Sequence, residues 1–201
     1  MAVPSIAQDK LTDRTWPPPQ GQWTYEDYRR LPDDGWRYEV IERELRMNPA
    51  PLPKHQQVSL KLTVAMANFI EGRGLGEVLN APIDVRLGEM ADPVQPDILF
   101  IQKDRLSIVK EKWIEGSPDL IVEILSPGNW LDDRRTKYRV YALAGVREYW
   151  IVDPDRCQIE VFVLRKGDYE LIGRFGPGEH APSEVLPGFD IGVDEVCIGQ
   201  S

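Results

Sequence analysis

Eleven consecutive residues constrain this chain most: Ser117-Pro118-Asp119-Leu120-Ile121-Val122-Glu123-Ile124-Leu125-Ser126-Pro127. The apolar stretch from Leu120 to Leu125 is short, rich in Ile, Val and Leu, and bounded by prolines. That pattern predicts a strand buried on both faces. Glu123 sits inside it. A carboxylate removed from water without a partner is costly, so Glu123 demands a cation or a strong donor. The run from Val94 to Ile101 repeats the pattern with Asp97 as its acid. Two acids, each in an otherwise apolar strand, point to a shared cation.

Composition narrows the classes of function. The chain has 201 residues and a net charge of −9. The length suits one domain, assigned to 23–201, with 1–22 as a proline-rich flexible tail. An acidic chain is not a whole-surface nucleic-acid binder, but a local basic patch or a metal still allows phosphate binding. Cys157 and Cys197 form no CxxC pair and have no nearby histidine cluster, which speaks against a zinc site, and two histidines exclude a histidine-rich metal site. No apolar run reaches membrane-spanning length, and no signal peptide is evident. The expectation is a cytoplasmic protein with reduced thiols and no membrane association.

Along the chain, Thr24-Tyr25-Glu26-Asp27 resembles a capping box and opens a short helix. Residues 36–47 read as a hairpin turning at Glu42-Arg43. Apolar steps of three and four from Val58 to Ile70 predict an amphipathic helix over 55–72. Strands are expected over 77–87, 95–101, 120–125 and 148–152, a helix over 131–143, a hairpin from 158–164 and 169–175, and loop and edge beyond. The fold class is therefore mixed α/β (α+β), a central mixed sheet flanked by helices, with N-terminal and C-terminal β-hairpins added. It is not doubly wound, because the central strands lack crossover helices.

Oxygen ligands such as Asp97 and Glu123 suit Mg²⁺, which takes one or two carboxylates with water and substrate phosphate. Lys137 falls on the helix that follows the Glu123 strand and packs back over it. It is open to two readings, a catalytic cation at the carboxylates or a Glu123–Lys137 salt bridge holding helix to sheet. The run Arg134, Arg135, Lys137, Arg139 is open to two as well, a phosphate-contacting face or a solvated one.

Taken together, Tyr38-Glu39-Val40-Ile41, His55 after a proline-rich loop, Pro96-Asp97, Glu123-Ile124-Leu125-Ser126-Pro127, Asp133, Lys137, Tyr141, the stretch from Gly145 to Pro154 and Leu186-Pro187-Gly188-Phe189 resemble the Uma family. These are restriction-endonuclease-like proteins of the PD-(D/E)XK nuclease superfamily. The resemblance spans roughly 24–195. It implies a restriction-endonuclease-like fold and Mg²⁺-dependent hydrolysis of DNA phosphodiester bonds, with Mn²⁺ able to substitute. Asp97 and Glu123 match the motif's acids and, with the Ile124 carbonyl, its metal ligands. Leu125 stands where the usual lysine would be, and Lys137 resembles the migrated replacement. Glu39 resembles a further acid near the site. His55 could be a general base, a second-shell donor or a structural cap. Arg134 and Arg135 are candidate DNA contacts. A homodimer would supply one site per strand. The competing reading is a non-catalytic binding or scaffold protein on the same fold, with Glu123 and Lys137 as a buried pair.

Overall fold

The computed structural model describes residues 15–88, 90–126 and 130–197, without the side chains of 130–134. Helix α1 (Tyr25–Tyr28) opens with Thr24 and Asp27 capping each other's main-chain N–H groups, the predicted box. Strands β1 (Arg37–Ile41) and β2 (Glu44–Asn48) form the expected hairpin. Its two turn residues, Glu42 and Arg43, both adopt positive φ. This is a two-residue turn built without the usual glycine. Helix α2 (Pro53–Glu71) follows, with proline in its first turn, where no N–H is needed.

One correction comes next. The single strand expected over 77–87 is two, β3 (Gly76–Asn80) and β4 (Asp84–Arg86). Pro82 has no N–H and cannot extend a ladder, so the chain breaks there. Strand β4 instead pairs in parallel with β6 (Trp113–Glu115), while β5 (Ile98–Gln102) pairs with β3. Gly76 is required where it stands: a Cβ there would lie 2.1 Å from the Ile101 carbonyl oxygen.

Strand β7 (Leu120–Ile124), helix α3 (Trp130–Ala144) and strand β8 (Glu148–Asp153) form a parallel crossover unit. Helix α3 stops as its sequence predicts. Gly145 takes positive φ, and the Val146 N–H bonds back to the Tyr141 carbonyl at 3.0 Å. Strands β9 (Gln158–Arg165) and β10 (Asp168–Phe175) form the expected hairpin, but it is not an appendage. It continues the central sheet, whose order is β10-β9-β8-β7-β5-β3. The terminal stretch expected as loop and edge contains a small pair, β11 (His180–Pro182) and β12 (Asp190–Gly192), and helix α4 (Val193–Val196).

The sheet is buried on both faces. Val58, Leu62, Met66 and Ile70 of α2 pack on Ile98, Phe100, Leu120, Val122 and Trp150. Val140, Tyr141 and Val146 pack with Leu99, Ile101, Ile121 and Ile151 on the opposite face. Successive strand side chains alternate between faces. Within β7, Leu120, Val122 and Ile124 therefore serve the α2 face, and Ile121 and Glu123 turn toward α3. The thiol expectation is also corrected. Cys157, in the β8–β9 turn, and Cys197, after α4, are joined in a disulfide, because the fold brings their Cα atoms to 5.6 Å.

Candidate active site

Register brings the two strand acids together. Strands β5 and β7 run antiparallel and their ladder ends with Ile98 opposite Val122, so Asp97, just before β5, and Glu123, next after Val122, lie at the same end of the pair. The Ile124 N–H donates to Asp97 Oδ2 at 2.9 Å, closing that end of the ladder.

Helix α3 covers Glu123 with two residues one turn apart. Lys137 Nζ donates to both Glu123 oxygens, at 3.1 and 3.2 Å, and the Tyr141 hydroxyl donates to Oε1 at 2.6 Å. The same ammonium lies 3.1 Å from Glu39 Oε2. Glu39 also accepts from Asn48 Nδ2 at 2.8 Å and from the Gln95 N–H at 2.7 Å. It reaches α3 because the β1–β2 hairpin docks there, with Arg46 contacting Thr136 and Glu42 pairing with Arg139.

Asp97 has its own donors. His55, near the start of α2, places Nε2 3.1 Å from Oδ2, and Arg37 Nη1 is 3.3 Å from Oδ1. The ionised carboxylate is acceptor-only, so Nε2 carries the proton. His55 Nδ1 is buried without a hydrogen-bond partner among the described residues. Gln95 fixes Arg37 from behind, its carbonyl accepting from Nη2 at 2.7 Å and its side-chain oxygen from Nε at 3.4 Å. The Gln95 amide is in turn held by Asp84 and the Tyr28 hydroxyl.

The two acids differ electrostatically. Burial alone would raise the Asp97 carboxyl, but the His55 and Ile124 hydrogen bonds and the Arg37 charge reverse the effect and lower it. Burial pushes the Glu123 carboxyl up to about 8; Asp97 and Glu39 repel its charge, while Lys137 and Tyr141 favour it. Burial, with the Glu123 and Glu39 charges, holds the Tyr141 hydroxyl far above its ordinary range, so it remains a donor.

The donor set fits a hard divalent cation supplied with water and phosphate. The Asp97 and Glu123 carboxylates are close enough for their charges to repel, and burial disfavours the Glu123 anion. Asp97 accepts two hydrogen bonds on Oδ2 and one on Oδ1, which leaves about one of its four lone-pair positions free. Among the described residues no group of three or more His, Cys, Asp or Glu side chains is arranged to hold one ion. The protein could thus offer an ion one or two carboxylates and no all-protein cage.

Structure thus gathers Asp97, Glu123, Lys137, Glu39, His55 and the Ile124 main chain. Arg135 is exposed on α3, and Lys137 and Arg139 turn to carboxylates, so the basic run is not one DNA-facing surface. The Arg134 side chain lies outside the described residues. Sequence reasoning missed Arg37, Gln95 and Asn48. The available signals were Arg37 two residues from Glu39, hence on the same strand face, and Tyr141 four residues from Lys137. A cavity of about 590 Å³ is lined by Tyr25, Asp84 and Trp113 and by none of these acids.

A mixed six-stranded sheet between helices, with two acids at one end of adjacent central strands, is a restriction-endonuclease-like fold. The fold is similar to that of a crystal structure from Anabaena variabilis, described as "a putative nuclease belonging to DUF820". That protein is 18% identical, with 86% of this chain and 96% of that one covered and a TM-score of 0.72, a likeness of fold. The chain belongs to the Uma2 family, described as "Putative restriction endonuclease", whose model matches residues 25–194. No curated protein matches it.

Proposed function

We propose that this chain is a Mg²⁺-dependent nuclease that hydrolyses DNA phosphodiester bonds, Mn²⁺ substituting. The carrying observation is the convergence of Asp97 and Glu123 at one end of the β5–β7 pair, where Asp97 accepts from the Ile124 N–H, with Lys137 of α3 bound to Glu123. Family membership and the shared fold support a nuclease reading.

Asp97, Glu123 and the Ile124 carbonyl would hold the ion. A divalent ion there supplies Lewis-acid polarisation of the phosphoryl oxygen and acidifies a bound water. The remaining roles belong to side chains. His55 and Arg37 keep Asp97 ionised and oriented. Tyr141 fixes one Glu123 oxygen. Lys137 offsets the charge of Glu123 and Glu39 and holds N–H donors at the acids, and Glu39 anchors the ammonium. Two strands need two cuts, which a twofold homodimer would provide. Action on DNA in the cytoplasm would expose the Cys157–Cys197 disulfide to a reducing pool.

The saturated Lys137 contacts favour one other reading, a non-catalytic scaffold in which Lys137 is a structural counter-ion. Supercoiled plasmid separates the two. The wild type should nick with Mg²⁺ or Mn²⁺, and Asp97→Asn and Glu123→Gln should lose at least about 100-fold. A chain that neither nicks plasmid nor gains thermal stability from either metal contradicts the nuclease reading.

A further inference from the structure

The two cations that reach the acids differ in what they have left to offer. Lys137 has three N–H donors, as any ammonium does. It contacts three carboxylate oxygens, both of Glu123 and one of Glu39, and its side chain is only 6% exposed. Arg37 has five N–H donors. Nε and Nη2 are engaged by Gln95, and Nη1 by Asp97 Oδ1. One N–H therefore remains on each Nη, with no other partner among the described residues. The Arg37 side chain is 21% exposed, against 7% for Asp97.

We propose that Arg37 is the phosphate-contacting cation of this site, donating its two remaining N–H groups to a non-bridging oxygen edge of the DNA phosphate presented at Asp97. Its planar fork matches phosphate geometry in a way a point-charge ammonium does not. Its direction is set in advance. Gln95 grips the guanidinium by main-chain and side-chain oxygens, and Asp84 and Tyr28 hold the Gln95 amide. A donor fixed before the substrate arrives needs no reorganisation as charge develops on the phosphate. Arg37 also sits beside the Asp97 oxygen that keeps a free lone pair, so the guanidinium and that oxygen face the same space. The assignment rests on the nuclease reading for its substrate, and it moves the phosphate contact from Lys137 to Arg37.

The test uses the full chain, an end-labelled DNA duplex followed by fluorescence anisotropy in EDTA and in Ca²⁺, and plasmid nicking in Mg²⁺ and Mn²⁺. Arg37→Gln should lower nicking per folded molecule about 10²–10³-fold. It should also reduce the slope of log K against log salt by about 0.9, the loss of one phosphate contact. Arg37→Lys retains the charge and should restore the salt slope while nicking stays below wild type. It decides the matter if Arg37→Gln does not fold. An Arg37→Gln chain with wild-type slope and wild-type rate overturns the proposal and leaves the nuclease reading standing, as does an Arg37→Lys chain that nicks at the wild-type rate. A wild type that binds duplex through Arg37 but never cuts supports the contact and removes the nuclease reading. A wild type that neither binds nor cuts overturns both.

Discussion

Replacing Lys137 by methionine removes one charge and keeps most of the side-chain volume, so the consequence is electrostatic. Glu39 is fully buried and Glu123 nearly so, and both lose their ammonium. Stranding a buried partner in this way costs about 3–5 kcal/mol. The structure places the result near the lower end. Glu39 keeps its bonds from Asn48 and the Gln95 N–H, Glu123 keeps Tyr141, and Glu123, already pushed up to about 8, escapes part of the penalty by taking a proton. About 3 kcal/mol in a chain of this size corresponds to a fall in Tm of roughly 6–12 °C. The assay is thermal and urea denaturation in EDTA at pH 9, above the Glu123 value of about 8, where that carboxyl is ionised in the wild type. Adding Glu123→Gln to Lys137→Met should recover about 1 kcal/mol or more through the coupling of the two residues. A loss below about 1 kcal/mol for Lys137→Met, with no recovery in the double variant, would refute the claim that this ammonium balances both acids.

The Glu123 carboxyl titrates near 8 when folded and near its ordinary 4.5 when unfolded. Between those values the folded chain holds a proton that the unfolded chain has released, so this group's contribution to stability declines as pH rises from about 4.5 to about 8. Metal-free melts across that range should show the decline, and Glu123→Gln should flatten it. Reducing the Cys157–Cys197 bond, which closes a separation of 40 residues, should lower stability by as much as ~4 kcal/mol, read from urea curves with and without dithiothreitol. Arg43→Gly should raise stability by about 1 kcal/mol, because Arg43 holds φ near 62° in the hairpin turn and glycine adopts that region without a Cβ clash; an unchanged urea midpoint would contradict it.

Local signals that carry their own physics were legible in the chain. The Thr24–Asp27 box, the α2 apolar stripe, the glycine stop at Gly145 and the run around Glu123 each encode an element through contacts a few residues apart. The divided strand at Pro82 and the placement of β9 and β10 in the central sheet were not legible, since strand pairing is settled between segments distant in sequence. The same division holds in the site. An acid inside an apolar run is visible as an anomaly, which marked Glu123 and Asp97. Arg37, Gln95 and Asn48 are ordinary polar residues in sequence. Only the hairpin's docking against α3 and the 90–95 segment turns them toward the acids.

The sequence by itself determined that Glu123 must find a cation, because desolvating a lone carboxylate is prohibitive whatever the fold. It also determined that Glu123 lies on a short buried strand and that Lys137 lies on the helix after it; Asp97, expected inside a strand over 95–101, falls just before β5 (Ile98–Gln102). Tertiary structure decided which cation serves which acid. The antiparallel register of β5 and β7 brings Asp97 and Glu123 to the same end of the pair, and strand alternation turns Glu123 toward α3. Hairpin docking adds Glu39 to the Lys137 ammonium and delivers Arg37 to Asp97. Coulomb and hydrogen-bond energies act over a few ångströms, so these partnerships exist only once residues separated by up to sixty positions along the chain are brought into contact.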